Sequence, residues 1–316
     1  MKKNIISKLE GPIFTVYTSF YESGEINYDE IESYLKFLYE NGVSTYYVMP
    51  YNSRYSQLYE AEIFELNKFV IKTVKNLNKE NLCIVSDSIH GPTKLSLDLG
   101  FDAFNNGCDI FASICREKYF SDTQVISHYR QLSELLTMPL LVHEMPFLSG
   151  YNSQNFKWPY SLIESLLNIE NIVAIKEDAK EVSYGKQIID LLEPEIRVIF
   201  AGRKSYFTDL FEHGLKAYLN GISMIDPKIA FYFWKILNAS ELDKIDFFIN
   251  NIDNYFWDNI VKKYGWHRVN KAYLEAAGLF SRYERLPLLE LNEVEYQEIV
   301  KNYTTLTMRM SEIVKD

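Results

Sequence analysis

The residues of this chain that could do chemistry sit at the ends of short apolar runs. The sharpest case is Lys176, in the run Asn171-Ile172-Val173-Ala174-Ile175-Lys176-Glu177-Asp178. Ile172 to Ile175 read as a strand buried on both faces, bounded by an asparagine before and charges after. A lone lysine at the end of such a strand leaves water where its neighbours are apolar. Burial disfavours the ammonium, so its pKa should fall and a neutral amine becomes available. A neutral lysine amine attacks 2-oxo acids to form a Schiff base. The plain alternative is a lysine whose head snorkels to solvent. His143 is the candidate for proton transfer, because its ordinary pKa near 6.5 lets it give and take protons at working pH. It stands beside Glu144, and adjacent strand residues face opposite ways, so only one of the two should point inward. Tyr51, Asn52 and Ser53 come after another apolar run, and backbone N–H groups there could bind a carboxylate or simply form a polar turn. Arg54, Arg116 and Arg203 could each grip a carboxylate by a two-point contact, or be solvated surface residues. Asp87, His90, His143 and Glu144 are metal-ligand types, but they lack helical HxxxH-type spacing, and no metal is expected.

These residues need elements to position them. Apolar runs recur at 11–20, 43–50, 81–87, 109–115, 138–145, 171–177, 195–202 and 216–223, with helical periodicity between them. Asn27 reads as a helix N-cap with Glu30 three residues on, Ile31, Leu35 and Leu38 mark one face, and Gly42 is the stop. Ile63, Leu66, Phe69, Val70 and Val74 give the 60–78 segment the same period. Gln124 to Leu136 and Tyr206 to His213 read likewise. Strands alternating with helices predict a (β/α)8 TIM barrel, an α/β fold whose catalytic groups come from the C-terminal strand ends. That rule selects Tyr51 to Arg54, Asp87 to His90, Arg116 and Glu117, His143 and Glu144, Lys176 to Asp178, Gly202 to Lys204, and Asn220 to Ser223. A doubly wound open sheet is the alternative, but no GxGxxG or GxxxxGK comes after an early strand. From about residue 227 the strands stop. Segments 227–238, 241–250, 252–264, 267–279 and 292–315 read as helices, and no Pro/Gly/Ser linker precedes them. The expected organisation is a barrel over 1–226 with a C-terminal helical extension over 227–316 packed on it.

Composition narrows the partners. The 316 residues are 47% hydrophobic and 24% charged, as in ordinary soluble proteins. A net charge of -10 with a pI near 5.2 argues against nucleic acid and anionic membrane surfaces. No run approaches the roughly 18 apolar residues of a membrane span, and the first residues lack a signal-peptide core. Cys83, Cys108 and Cys115 have no CxxC spacing, which fits a reducing cytoplasm better than disulfides or zinc, with Cys83 and Cys115 in the core. The 24 tyrosines and 20 phenylalanines are many, and the plain reading is an aromatic-rich interior with subunit contacts.

Several segments resemble one family. They are Gly11-Pro12-Ile13-Phe14-Thr15 with Thr18-Ser19-Phe20, Met138 to Pro146 with Gly150 after it, Asn171 to Glu177, Gly202, Asn220-Gly221-Ile222-Ser223 with Pro227, and Arg285-Leu286-Pro287-Leu288. Over nearly its whole length the chain resembles the dihydrodipicolinate synthase / N-acetylneuraminate lyase family, the Schiff-base-forming class I aldolases and lyases. Asn171 to Glu177 resembles the strand that carries the family's Schiff-base lysine, which the resemblance places at Lys176. There are departures. The family's loop after the second strand reads Gly-Thr-Thr-Gly-Glu and holds the 2-oxo acid carboxylate. Here Tyr51 and Asn52 occupy the threonine positions, and Arg54 stands for the acid. His143 replaces the proton-shuttling tyrosine, Cys115-Arg116-Glu117 replaces a Pro-Tyr-Tyr turn, and Leu148 aligns with the arginine used for the second substrate. The resemblance therefore implies a lyase or aldolase acting on pyruvate or a related 2-oxo acid and an aldehyde-type partner. Lys176 and His143 would be catalytic, with Tyr51, Asn52, Ser53, Asn220, Arg116 and Glu117 at the substrate. Dihydrodipicolinate synthase or N-acetylneuraminate lyase proper is disfavoured, because the relay is lost. The other class is a degenerate barrel that binds a ligand or regulates. No organic cofactor is implied, since the imine is itself the electron sink. A homo-oligomer, dimer or tetramer, is implied, with Arg116 or Glu117 reaching a neighbouring site.

Overall fold

The computed structural model describes residues 2–115, 121–144 and 157–313. Arg116, Glu117 and Leu148 lie outside that range. Eight parallel strands close in sequence order into the expected TIM barrel: β1 (Gly11–Thr15), β2 (Thr45–Tyr47), β3 (Leu82–Ser86), β4 (Ile110–Ile114), β5 (Leu140–His143), β6 (Ile172–Lys176), β7 (Arg197–Phe200) and β8 (Ala217–Leu219). β1 pairs with β8 to close the ring, Gly11 opposite Ala217 and Ile13 opposite Leu219. The open-sheet alternative is thereby excluded.

Alternation along the strands builds two cores. Ile13, Tyr47, Ile84, Ala112, Leu141 and Leu219 fill the barrel interior. Phe14, Tyr46, Val85, Phe111 and Val142 point outward and pack against the helices. The 2–8 helix, Lys2–Lys8, was not anticipated. It presents Ile6 and the adjoining Leu9 to the interior cluster, and Arg197 at the start of β7 donates to the Ile6 carbonyl at 3.1 Å. It therefore covers the end of the barrel opposite the C-terminal strand ends.

Local signals place the helices. The Asn27 side chain accepts the Glu30 N–H at 3.1 Å, capping the helix Tyr28–Glu40, whose Ile31, Leu35 and Leu38 are buried. Gly42 comes next at φ +89°. The helix Glu60–Leu77 buries Ile63, Leu66, Val70 and Val74, as its period requires. All three cysteines are free and buried.

The C-terminal helices pack on the barrel. The separate helices expected over 241–250 and 252–264 are instead one unbroken helical run. It is π-wound at Ile249–Asp253 and Trp257–Val261 and ends at Gly265, φ +81°. The reason is local: no glycine or proline interrupts 241–264, so the run absorbs its extra residues in wide turns. The helices Trp266–Ala276 and Glu293–Ile313 complete the chain. Among the described residues no helix is long and apolar enough to cross a membrane.

Candidate active site

β5 ends on His143 and β6 on Lys176, and the two are register partners. Both therefore emerge at the same rim of the barrel. There a cavity of about 360 Å³, within the small-molecule range, is lined by His143, Lys176, Asp178, Lys180, Asn52 and Asn220 among others.

The Lys176 side chain is buried, with Nζ 3.1 Å from Asp178 Oδ1. Burial pulls its pKa below the usual lysine value, and Asp178 opposes that pull without cancelling it. The result is an amine that gives up its proton more readily than a surface lysine. The Lys180 ammonium contacts the same Asp178 oxygen at 3.3 Å, with its side chain 46% exposed. Its charge pushes the Lys176 pKa further down.

His143 is fully buried. Burial, and then the neighbouring Lys176, hold its pKa well below 6.5, so the imidazole is neutral. Nδ1 lies 3.3 Å from the Tyr47 hydroxyl, and Nε2 has no hydrogen-bond partner among the described residues. With the proton on Nδ1, Nε2 is left as a buried base without a partner among the described residues. Glu144 takes the other face of the strand. Its Oε1 accepts the Trp158 N–H at 3.1 Å and the Tyr184 O–H at 2.9 Å, away from the cavity.

The floor is a chain of polar side chains. Trp266 Nε1–H donates to Asn52 Oδ1 at 2.9 Å, and Asn52 Nδ2 donates to Thr15 Oγ1 at 2.9 Å. Thr15 Oγ1 in turn reaches Asn220 Oδ1 at 3.3 Å. A buried lysine, Lys204, approaches the carbonyls of Leu219 and Asn220 at 3.3 and 3.5 Å and steadies the β8 end. The outer wall comes from the C-terminal helices. Trp257 and Trp266 stack with centroids 5.4 Å apart and planes 12° apart, and His267 sits beside Tyr51. Burial and Arg54 keep His267 neutral, with its pKa down at about 3.

Tyr51, Asn52, Asn220, His143 and Lys176 are thus brought together, while other candidates are not. The Ser53 hydroxyl donates to the Val16 carbonyl at 2.6 Å, and its N–H goes to the Met49 carbonyl. Ser53 is structural because its polar groups are used within the barrel wall. Arg54 is no carboxylate grip: its guanidinium is buried against Glu284 at 2.7 Å. Arg203 is held by Asp258 at 2.7 Å and lies over Trp257. Asp87 points to Ser96 and Ser113, so it does not join His143, and no metal-type cluster converges among the described residues. Lys180, Tyr47 and the tryptophan wall were not singled out from sequence, and Asp178 was selected only by its place at the β6 end. For Asp178 and Lys180 the signal was present, as charges two and four residues beyond Lys176.

Comparison with known proteins gives a consistent picture. The model of the dihydrodipicolinate synthetase family matches residues 8–306. Among curated relatives, 4-hydroxy-tetrahydrodipicolinate synthase of Acetivibrio thermocellus is 26% identical over 230 residues, covering 69% of this chain and 72% of that protein. The protein of the same name from Brachyspira hyodysenteriae is 23% identical over 226 residues, covering 71% and 73%. Among solved structures, dihydrodipicolinate synthase from Bacillus clausii superposes with a TM-score of 0.83 at 18% identity, over 96% of this chain and 99% of that one. A prophage protein of the dihydrodipicolinic acid synthase family from E. coli K12, solved with pyruvate, gives 0.81 at 17% identity, over 94% and 98%. At these identities the structural likeness is one of fold.

Proposed function

Since the chain belongs to the dihydrodipicolinate synthetase family, we propose that it is a Schiff-base lyase acting on pyruvate or a related 2-oxo acid through Lys176. The observation that carries this reading is the buried Lys176 amine, its pKa depressed, at the floor of a cavity it shares with a neutral histidine. The neutral amine adds to the keto carbon. The keto oxygen takes up two protons, one from the attacking nitrogen and one from solvent, and leaves as water, and a protonated imine remains. The C3–H bond then breaks. Its electron pair moves into the imine to give an enamine, and its proton passes to His143 Nε2. The enamine carbon attacks an aldehyde, the new alkoxide takes back a proton, and water releases the product and Lys176. Run in reverse, the same steps cleave a carbon–carbon bond.

The second reactant is proposed to differ from that of dihydrodipicolinate synthase. Arg54 and Arg203 are engaged by Glu284 and Asp258, and the wall facing Lys176 is Trp257, Trp266 and Tyr51. That wall suits a flat or apolar aldehyde better than one carrying further carboxylates. A homo-oligomer is proposed on family grounds, and a fully active monomer in sedimentation would overturn it. The central test is intact mass after borohydride with pyruvate, then with a panel of 2-oxo acids, in the wild type and Lys176→Ala. The expected result is an adduct in the wild type that is lost in the variant. No adduct with any acid at high concentration would sink the lyase and favour a binding barrel.

A further inference from the structure

The chain leaves β6 through a tight turn with an unusual residue at its end. Glu177 Oε1 accepts the N–H groups of Ala179 and Lys180, the latter at 3.1 Å. Lys180 itself adopts φ +59°, a left-handed conformation that side chains other than glycine rarely take. The turn aims the lysine at the cavity. Its aliphatic stem lies over Gly202, where a Cβ would already touch the Lys180 Cδ at 3.5 Å, and its ammonium stops 3.3 Å from Asp178. A strained backbone, a glycine under the stem and a half-exposed head all serve to place one positive charge beside Lys176.

Meanwhile the side chains of the loop after β2 have little left with which to hold a carboxylate, and what that loop still offers is the backbone at Tyr51 and Asn52, which carries no charge. Both ends of the Asn52 amide are engaged, by Trp266 and Thr15. Ser53 spends its hydroxyl and N–H within the barrel, and Arg54 is locked to Glu284. Among the described cavity residues the charged groups are Lys176, Asp178 and Lys180, with both histidines neutral. Lys176 must lose its charge to attack. The cation that remains is Lys180, and an ammonium has three donors of which Asp178 takes one.

We propose that Lys180 is the carboxylate anchor of this site: its ammonium binds the carboxylate of the 2-oxo acid whose keto carbon meets Lys176. This rests on the Schiff-base reading and adds the residue that makes an acid, and not a neutral ketone, the preferred substrate.

The test compares an acid with its neutral ester. Borohydride trapping is titrated with pyruvate and with methyl pyruvate in the wild type, Lys180→Met, Lys180→Gly and Lys180→Arg. The glycine variant relieves the backbone strain and guards against a folding defect. Half-saturation for pyruvate should rise about tenfold or more in the methionine and glycine variants, the worth of one charge-assisted hydrogen bond. The ester should change only by what the loss of the Lys180 charge beside Lys176 costs both substrates alike, so the acid should lose far more than the ester; Lys176 should still be labelled at saturation, and arginine should restore part of the loss. An equal rise for acid and ester, no rise, or a shifted pH profile at constant half-saturation overturns the anchor. Calorimetric binding of oxamate, an acid that forms no imine, tests Lys180 independently of Schiff-base chemistry. Binding lost in Lys180→Met supports the anchor even if no adduct is ever trapped, whereas equal binding in both, or none in the wild type, overturns it.

Discussion

A lysine is a nucleophile only in the fraction that is neutral, and at Lys176 two opposing influences set that fraction. Burial and the Lys180 charge lower the pKa, while Asp178 raises it. Asp178→Asn removes the upward pull, so the rise of trapping rate with pH should move to lower pH; an unmoved or upward-moved profile would contradict this. His143 makes a second prediction. Its pKa is held well below 6.5, so the wild-type rate should show no histidine limb near that pH. His143→Asn should lower turnover about 10²–10⁴-fold, the usual worth of a general base, while the imine still forms at saturating pyruvate. Loss of trapping along with turnover would make His143 a structural residue. Lys176 and His143 were legible in the sequence because a strand end fixes where a side chain emerges and residue type supplies the chemistry. Lys180 was not, because period-two alternation ends with the strand and the left-handed backbone at Lys180 turns its side chain back to the cavity; Asp178 was selected by its place at the strand end, but not its pairing with Lys176. Arg54 was misread for a different reason: its partner Glu284 lies 230 residues away.

At the scale of the elements, the rear of the site carries an electrostatic load. Glu144 and Glu177 flank the β5 and β6 ends on the helix side. Burial pushes both carboxyls above their ordinary range, with repulsion from Glu177 adding to Glu144 and from Asp178 adding to Glu177. Glu144 Oε2 has no partner among the described residues. The folded protein therefore keeps protons that the unfolded chain, near pKa 4.3, has already released. In that window the folded state binds more protons, so these groups make stability fall as pH rises from the ordinary carboxylate range toward their raised values. Glu144→Gln removes one such charge. It should raise the melting temperature at mildly alkaline pH, about 2–4 °C for each kcal/mol recovered, and flatten the pH dependence. An unchanged slope of melting temperature against pH would exclude the pair as its source. The strands and barrel helices that carry these groups were legible throughout, since buried alternation and caps such as Asn27 act within a few residues. The π-wound run over 242–264 was not, because helical periodicity in sequence does not separate i+4 from i+5 bonding. That winding carries Trp257, so the outer wall of the cavity was hidden with it.

Across the whole molecule, the barrel rim and the C-terminal helices are joined by one buried ion pair. Arg54 leaves the loop after β2 and donates to Glu284 at 2.7 Å, to the His267 carbonyl at 2.7 Å and to Asn270 Oδ1 at 2.9 Å. The side chains are 1% and 0% exposed. The same contacts fix the start of the helix Trp266–Ala276, which brings Trp266 and His267 to the cavity. We hold the 227–316 region to be an elaboration of the barrel and not a separable domain, and this pair tests it. Arg54→Ala leaves the Glu284 carboxylate buried without its partner, which should cost about 3–5 kcal/mol. Arg54→Leu with Glu284→Leu removes both charges and should recover part of that loss, although the bonds to His267 and Asn270 stay missing. If the two regions form one cooperative unit, the fluorescence of a variant keeping only the cavity-wall tryptophans Trp257 and Trp266, and circular dichroism, which reports barrel and helices together, will lose their signals at one denaturant midpoint with and without the Arg54 substitutions. A split of the midpoints in Arg54→Ala, with fluorescence lost first and the barrel's share of the dichroism retained, would instead establish a C-terminal unit that detaches from an intact barrel.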